Sequence, residues 1–162
     1  MNTIRVVLFP TDFSEYADAA FHFACSLAAH YGAKLCILHV HEPPMTAGNL
    51  IMPLIPQDET ELRQLKEKLA DVQPSKPSFT VEHHLVSGRA ADQIIQAGET
   101  LVADIIVMGT HGRRGLSRAL MGSVASEVVR KASRPVLTIK LPKSKLGRSS
   151  LWQGSSKQAV NH

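Results

Sequence analysis

Hydrophobic and polar positions follow two different periods along this chain. Short runs rich in apolar and β-branched residues predict strands, and the nearly continuous runs among them predict burial on both faces. The five runs are Ile4–Phe9, Leu35–Val40, Phe79–Val86, Asp104–Gly109 and Val136–Leu141. Between them, apolar residues recur at the three- and four-residue spacing of amphipathic helices. The four predicted helices extend from about Ser14 to Gly32, Asp58 to Val72, Arg89 to Val102 and Ser123 to Ala132.

This alternation of strands and helices predicts a three-layer α/β sandwich with a five-stranded parallel sheet between two helix layers. In such sheets the crossovers are right-handed, and ligands bind outside the carboxyl ends of the strands, where the strand order reverses. Function is therefore expected in the loops after the strands: Pro10–Ser14, Val40–Pro44, Ser87–Arg89 and Gly109–Ser123. The Pro-rich segment 41–57 is long for a spacer and predicts a lid, a partner surface or a locally packed loop.

Length and composition narrow the class of protein. A chain of 162 residues with 44% hydrophobic and 20% charged residues predicts one globular domain and excludes a disordered chain, a collagen or a coiled coil. No apolar run is long enough to span a bilayer, and the N-terminus lacks the features of a secretory signal. Cys25 and Cys36 have no C-x-x-C partner, which indicates buried thiols of a cytoplasmic protein, although a bridge between them stays open.

The net charge of +4 comes from the end of the chain. Residues 142–162 contain Lys143, Lys145, Arg148 and Lys157 and no acidic residue, so the body, 1–141, is neutral. The prediction is one domain over 1–141 followed by a basic, flexible tail over 142–162. Four cations spread over such a tail favour a solvating segment over a nucleic-acid-binding surface.

The loop from Gly109 to Ser123 carries the strongest chemical signal. Glycines at both of its ends allow backbone N–H groups to approach an anion, and Gly122-Ser123 opens a helix whose dipole favours a phosphate. Arg113, Arg114 and Arg118 add positive charge in the same loop. The alternative is a surface loop in which the glycines only make turns.

Asp12, just past the first strand, has two interpretations. Its carboxylate can bind ribose hydroxyls or a base amino group, as expected at the end of a central strand. It can equally cap the following helix, since it lies three residues before Glu15.

Several separated motifs together resemble the universal stress protein family over about residues 3–141. The G-x2-G-x9-G-[ST] pattern of the family's nucleotide-binding members is matched by Gly109, Gly112, Gly122 and Ser123. Further matches follow in the same order as in the family: Pro10-Thr11-Asp12-Phe13-Ser14, Leu38-His39-Val40, Ser87-Gly88 and Arg134-Pro135-Val136.

The resemblance implies a flavodoxin-like strand order, 3-2-1-4-5, of the adenine nucleotide alpha hydrolase-like type, with ATP bound across strands one and four. By position, Asp12 would hold the adenosine end with main-chain help from Pro10 and Thr11. The other implied contacts are the Val40 backbone for adenine, Met108 and Gly109 for the floor, and Gly112, Gly122, Ser123 and Val124 for the phosphates. Charge and location add Arg113 and His111 as phosphate contacts, with a water-facing loop histidine as the alternative for His111.

The resemblance also implies Mg²⁺ or Mn²⁺ carried with the phosphates and a homodimer paired through the fifth strand, Val136–Lys140. An unpaired apolar edge strand would otherwise invite association.

The eight histidines do not predict a protein-bound metal. None shows the spacing of a helical His-Glu-x-x-His site or of a zinc finger. His83 and His84 are neighbours on a strand and point to opposite faces. A Walker A loop and a Rossmann G-x-G-x-x-G loop are absent as well.

Three functions remain. The first is a dimeric stress-response module that binds ATP and changes shape or partners with nucleotide occupancy. The second is a slow ATPase or phosphotransferase, for which His111 and Asp12 are the only local candidates for a water-positioning group. The third is a nucleotide-free dimer that binds a protein partner.

Overall fold

The computed structural model describes residues 3–42, 59–111 and 121–140. In these ranges strands and helices alternate in the predicted order. The strands are β1 (Val6–Pro10), β2 (Lys34–His41), β3 (Val81–Ser87), β4 (Ile105–Gly109) and β5 (Val136–Ile139). The helices are α1 (Glu15–Tyr31), α2 (Glu59–Ala70), α3 (Ala90–Thr100) and α4 (Ser123–Lys131).

All pairings in the sheet are parallel, and the strand order is β3-β2-β1-β4-β5. The predicted fold class and the order 3-2-1-4-5 are confirmed. β1 is the central strand and pairs with β2 from Val6↔Lys34 to Pro10↔Leu38. β3 and β5 form the two edges.

Alternate strand residues face two separate cores. Val7 and Phe9 of β1 pack on one face with α1 and α2, whereas Leu8 packs on the other face with α3 and α4. The central strands are therefore buried on both sides, as their continuous apolar sequences predict. Cys25 packs against the first core and Cys36 belongs to the second, and both are free thiols.

Short-range chemistry sets both ends of α1. The Ser14 hydroxyl accepts a hydrogen bond from the Ala17 N–H and caps the first turn. Gly32 ends the helix at φ 62°, in the left-handed region where glycine carries no Cβ penalty. Both features agree with the prediction from the sequence.

The first strand begins later than its apolar run predicts, at Val6 rather than Ile4. Asp104, just before β4, explains the difference, because its Oδ2 accepts the N–H groups of Arg5 at 2.7 Å and Val6 at 2.9 Å. These bonds hold the chain where it enters the sheet. They lower the pKa of Asp104 below its usual range, with the Arg5 N–H as the largest cause.

Asp104→Asn is expected to cost about 1–2 kcal/mol at neutral pH, because the amide accepts two N–H bonds less strongly than a carboxylate. A carboxyl whose pKa is lower in the folded state stabilises above its unfolded pKa and loses that effect as pH falls through the folded value. The difference in the free energy of unfolding between wild type and variant should therefore shrink towards zero in acid. Urea unfolding at pH 7 and at about pH 3 measures it. A gap of equal size at both pH values would contradict the role given to the carboxylate.

Some predicted features lie outside the described residues. They are residues 43–57 of the Pro-rich segment, loop residues Gly112 and Arg113, and the tail 142–162. Among the helices of the described ranges, none combines the length and apolar character that crossing a membrane requires.

Candidate functional site

The carboxyl ends of β1 and β4 separate at the centre of the sheet. The two strands pair at Val7↔Ile105 and Leu8↔Ile106, and no pair beyond these is formed in the described residues. The N–H of Thr11 donates to the carbonyl oxygen of Leu38 on β2 at 2.8 Å. Because successive residues of a strand direct their N–H groups to opposite neighbours, residue 10 would be the one to donate towards β4. That residue is Pro10, which has no N–H. The result is a crevice where the crossovers leave on opposite faces, α1 after β1 and α4 after β4.

The loop after β1 is held tightly against β2. The carbonyl of Thr11 lies 2.7 Å from His39 Nδ1, and the His39 ring packs against Phe13 with centroids 4.3 Å apart. Phe13 has φ 62°, which is uncommon for a residue with a side chain, and the Thr11 hydroxyl accepts its N–H. This strained turn presents Asp12 at the mouth of the crevice.

Asp12 is oriented by Ser14 and does not cap α1 itself. Its Oδ1 accepts the Ser14 hydroxyl at 2.6 Å and the Ser14 N–H at 3.1 Å, while Ser14 caps the helix. The carboxylate is half-buried. Of the two interpretations of Asp12, direct capping is wrong, and the carboxylate is a positioned polar group at the end of the central strand.

The two ends of the glycine-rich loop meet beside β5. The Thr110 N–H donates to Ile139, and its carbonyl accepts the Gly122 N–H at 2.6 Å. The Thr110 hydroxyl lies 3.0 Å from His111 Nδ1, and the His111 ring packs near Tyr16 at 5.3 Å between centroids. These contacts place the start of α4 next to the end of β4.

The N-terminus of α4 differs from those of the other helices in the charge of its first turn. Its N-cap, Gly122, makes no side-chain capping bond, as is also true of Arg89 at the start of α3. The first turns of α1, α2 and α3 each carry an acidic residue, whereas the first turn of α4 has none. The helix dipole and the first-turn N–H groups thus present uncompensated positive potential at the crevice.

Gly109 is required by the packing of α1. A Cβ on this residue would lie 2.8 Å from the Tyr16 carbonyl oxygen, in the first turn of α1. The interpretation that this glycine opens the loop to an anion is therefore incomplete, because its lack of a side chain first serves the contact between β4 and α1.

The apolar members of the predicted site line the α3/α4 side of the crevice. Met108 is buried in that core, and Val40 and Val124 are partly buried against it. The Met108 side chain is thus part of the core, which leaves its backbone for the floor of a ligand site.

Sequence comparison matches residues 3–140 to the Universal stress protein family. The chain belongs to the universal stress protein family. A curated relative is the universal stress protein MJ0531 of Methanocaldococcus jannaschii, with 31% identity over 88% of this chain and 85% of that protein. The solved structure of MJ0577 superposes with a TM-score of 0.65 at 28% identity, covering 87% of this chain and 99% of that one. A universal stress protein of Archaeoglobus fulgidus in complex with dAMP superposes with a TM-score of 0.61 at 27% identity, covering 86% and 100%.

In this universal stress protein, the fold brings most of the predicted site residues to one edge of the sheet. Those that lie around the crevice are Pro10, Thr11, Asp12, Val40, Met108, Gly109, His111, Gly122, Ser123 and Val124. Gly112 and Arg113 lie outside the described residues.

Three further residues that shape the crevice of this universal stress protein are missed by the sequence reasoning. Thr110 ties the loop ends together, Tyr16 packs on β4 and His111, and His39 fixes the Thr11 carbonyl. Only His39 carries a local signal, since it is a polar residue within an otherwise buried strand.

Proposed function

We propose that this protein is a binding module for an adenine nucleotide, ATP foremost, at the carboxyl ends of β1 and β4. The observation that carries the proposal is the start of α4, which has no side-chain cap and no acidic first-turn residue and faces the switch point of the sheet. A nucleotide phosphate supplies the negative charge that this helix end lacks.

The phosphate end of the ligand is assigned to the first turn of α4. Gly122 donates its own N–H to Thr110, so the groups available for a phosphate include the N–H groups of Ser123 and Val124 and the exposed Ser123 hydroxyl. Arg130 and Lys131 lie at the far end of the helix, where they match its dipole. Gly112, Arg113 and His111 are proposed as further phosphate contacts.

The adenosine end is assigned to the β1 side. Asp12 is held by Ser14 in an orientation that suits ribose hydroxyls, next to the backbone of Pro10 and Thr11. Val40 would contribute a backbone contact to adenine, and Met108 and Gly109 would line the floor of the site. The complex of the related Archaeoglobus fulgidus protein with dAMP supports an adenine nucleotide as the ligand class.

A Mg²⁺ or Mn²⁺ ion at this site would be held mainly by the phosphates. Within the described residues, three potential metal ligands converge at one place, on β2 and β3 rather than at the crevice. The Ser123 hydroxyl fits as a single protein ligand to a phosphate-bound cation. The ion would supply charge neutralisation.

The crevice fits a protein that binds ATP and changes conformation better than one that hydrolyses ATP rapidly. Hydrolysis needs a group that positions water at the terminal phosphate, and Asp12 is already engaged with Ser14 on the other side of the crevice. We further propose that a homodimer forms through the edge strand β5, whose residues are all partly exposed and mostly apolar. If the nucleotide binds one conformation of the dimer more tightly than another, its binding would shift the dimer towards that conformation.

Calorimetric titration of the full chain with ATP and Mg²⁺ tests the proposal. Wild type is expected to bind with a Kd of about micromolar order. Gly122→Val is expected to weaken binding about tenfold, because its side chain would stand at the phosphate position. Gly122 has φ −69° and ψ 162°, which valine also adopts, so this variant should fold. Sedimentation velocity of the same samples reports the dimer.

Ala132→Val is the matched control, since it places the same valine side chain at the C-cap of the same helix, again on extended backbone. It should bind ATP like wild type. A folded wild type that binds neither ATP nor AMP, with Mg²⁺ or Mn²⁺, would reject the site and leave a partner-binding dimer as the better description.

A further inference from the structure

Three potential metal ligands converge on the β2/β3 side of the sheet. They come from two neighbouring strands: Cys36 on β2, and Glu82 and His84 on β3. The register aligns Cys36 with Glu82 and Leu38 with His84, so all three ligands lie on the face packed by α3. Directly opposite and diagonal residues of paired strands are within reach of each other's side chains.

We propose that Cys36, Glu82 and His84 form a three-ligand site for a divalent transition metal ion, Zn²⁺ foremost, with one coordination position open to solvent. The thiolate, carboxylate and imidazole donors are those that Zn²⁺ takes in proteins. Its donors include none of the residues assigned to the nucleotide.

The separations of the donor atoms fit one ion. His84 Nε2 lies 3.5 Å from Glu82 Oε2, Cys36 Sγ lies 3.9 Å from the same oxygen, and all three donors are within 4.8 Å of one another. Tetrahedral Zn²⁺ with bonds of about 2.0–2.3 Å places its ligands about 3.3–3.7 Å apart. Small rotations of the side chains close the difference.

His84 Nε2 approaches the Glu82 carboxylate at 3.5 Å without forming a hydrogen bond. The atom is enclosed and makes no hydrogen bond to any group in the described part of the chain. Buried polar atoms are normally satisfied, so an enclosed imidazole nitrogen beside a carboxylate and a thiol indicates a ligand position. The side chains of His84 and Glu82 remain 30% and 41% exposed, which provides the entry path for an ion.

Lys34 forms an ion pair with one of the proposed metal ligands, Glu82. Its ammonium lies 3.1 Å from Glu82 Oε2, and its side chain is one-third exposed. Burial raises the pKa of the Cys36 thiol to about 11, so Zn²⁺ must displace the thiol proton, while Lys34 must turn outwards to solvent. Lys34 is therefore a competitor whose removal strengthens metal binding.

Spectroscopic titration of the full chain with Co²⁺, followed by displacement with Zn²⁺ against a chromophoric chelator, tests the site. Wild type is expected to bind one ion with a thiolate-to-cobalt absorption band. His84→Gln should weaken the metal at least about 100-fold, because loss of even a second-shell partner costs about 10–100-fold. Cys36→Ala should abolish the thiolate band. Lys34→Met should tighten binding about fivefold, since it removes the competing cation.

Two neighbours serve as matched controls. His83→Gln removes the adjacent histidine, whose Nε2 lies 2.8 Å from the Val72 carbonyl oxygen, and Cys25→Ala removes the other thiol, on the opposite core. Both should bind the metal like wild type. Absence of the thiolate band in wild type, or its loss in Cys25→Ala but not in Cys36→Ala, would overturn the proposal.

Discussion

Ser123→Glu is expected to stabilise the fold and to weaken ATP binding at the same time. Ser123 is the exposed first residue of α4, a helix with no acidic residue in its first turn. A carboxylate there should add about 0.5 kcal/mol of stability through the helix dipole. It would also stand where the proposed site holds phosphates, and repulsion at about 5 Å should weaken ATP about 100-fold. Urea unfolding and calorimetry measure the two effects.

Because the expected changes in stability and in ATP affinity have opposite signs, they distinguish a role of Ser123 in binding from a role in folding. Val129→Glu is the matched control, because Val129 is an exposed residue of the same helix. It adds the same charge about 9 Å further along the axis and should leave ATP affinity within about threefold. Adenosine, which carries no phosphate, should bind Ser123→Glu nearly as well as wild type. Unchanged ATP affinity in a stabilised Ser123→Glu would place the phosphates elsewhere.

Gly109→Ala is expected to have the largest effect on stability, about 3 kcal/mol of destabilisation, at the upper end of the cost of overpacking. The added Cβ would lie 2.8 Å from the Tyr16 carbonyl oxygen and 3.0 Å from its carbonyl carbon. Both atoms are backbone in the first turn of α1, so the helix itself must move away from β4. Urea unfolding at pH 7 gives the free energy of unfolding.

Gly98→Ala, in α3, is the matched control for this substitution. Its Cβ would meet the tip of the Ile106 side chain at 3.2 Å, so a side-chain atom needs to move by only a few tenths of an ångström and no backbone is in the way. Alanine also gains about 0.5–1 kcal/mol over glycine within a helix, so this variant should be close to neutral. If Gly109→Ala is as stable as wild type but loses ATP, the glycine serves the ligand rather than the packing of α1.

Gly109→Ala and Ser123→Glu change two different elements that border the same crevice. Gly109 sets how closely α1 approaches the end of β4, and Ser123 lies at the start of α4 on the other side. Pro10 keeps the strands between them from pairing further. A crevice built in this way from the ends of rigid elements holds backbone donors in place before a ligand arrives, which lowers the cost of binding.

Local patterns in the sequence predict the element order, the parallel sheet and the ends of α1. Ser14 caps and Gly32 terminates that helix because both effects depend on residues within one turn. The strands are predictable because burial on both faces requires continuous apolar runs such as those of β1 and β2. The start of β1 is misplaced by two residues, since it depends on Asp104, which is about a hundred positions away in the chain.

Only the tertiary structure determines which residues that are distant in sequence come into contact. Gly109 has the same local signature as a phosphate-loop glycine, yet the Tyr16 backbone is what excludes a side chain there. Cys36 and His84 show no metal-ligand spacing along the chain, and only the register of β2 with β3 brings them to Glu82. Secondary-structure propensity and hydrophobic patterning depend on residues that are close in sequence. Strand register and helix packing bring together residues that are far apart in sequence. The fold of this protein was therefore determined by local physics, and the contacts of its sites by long-range packing.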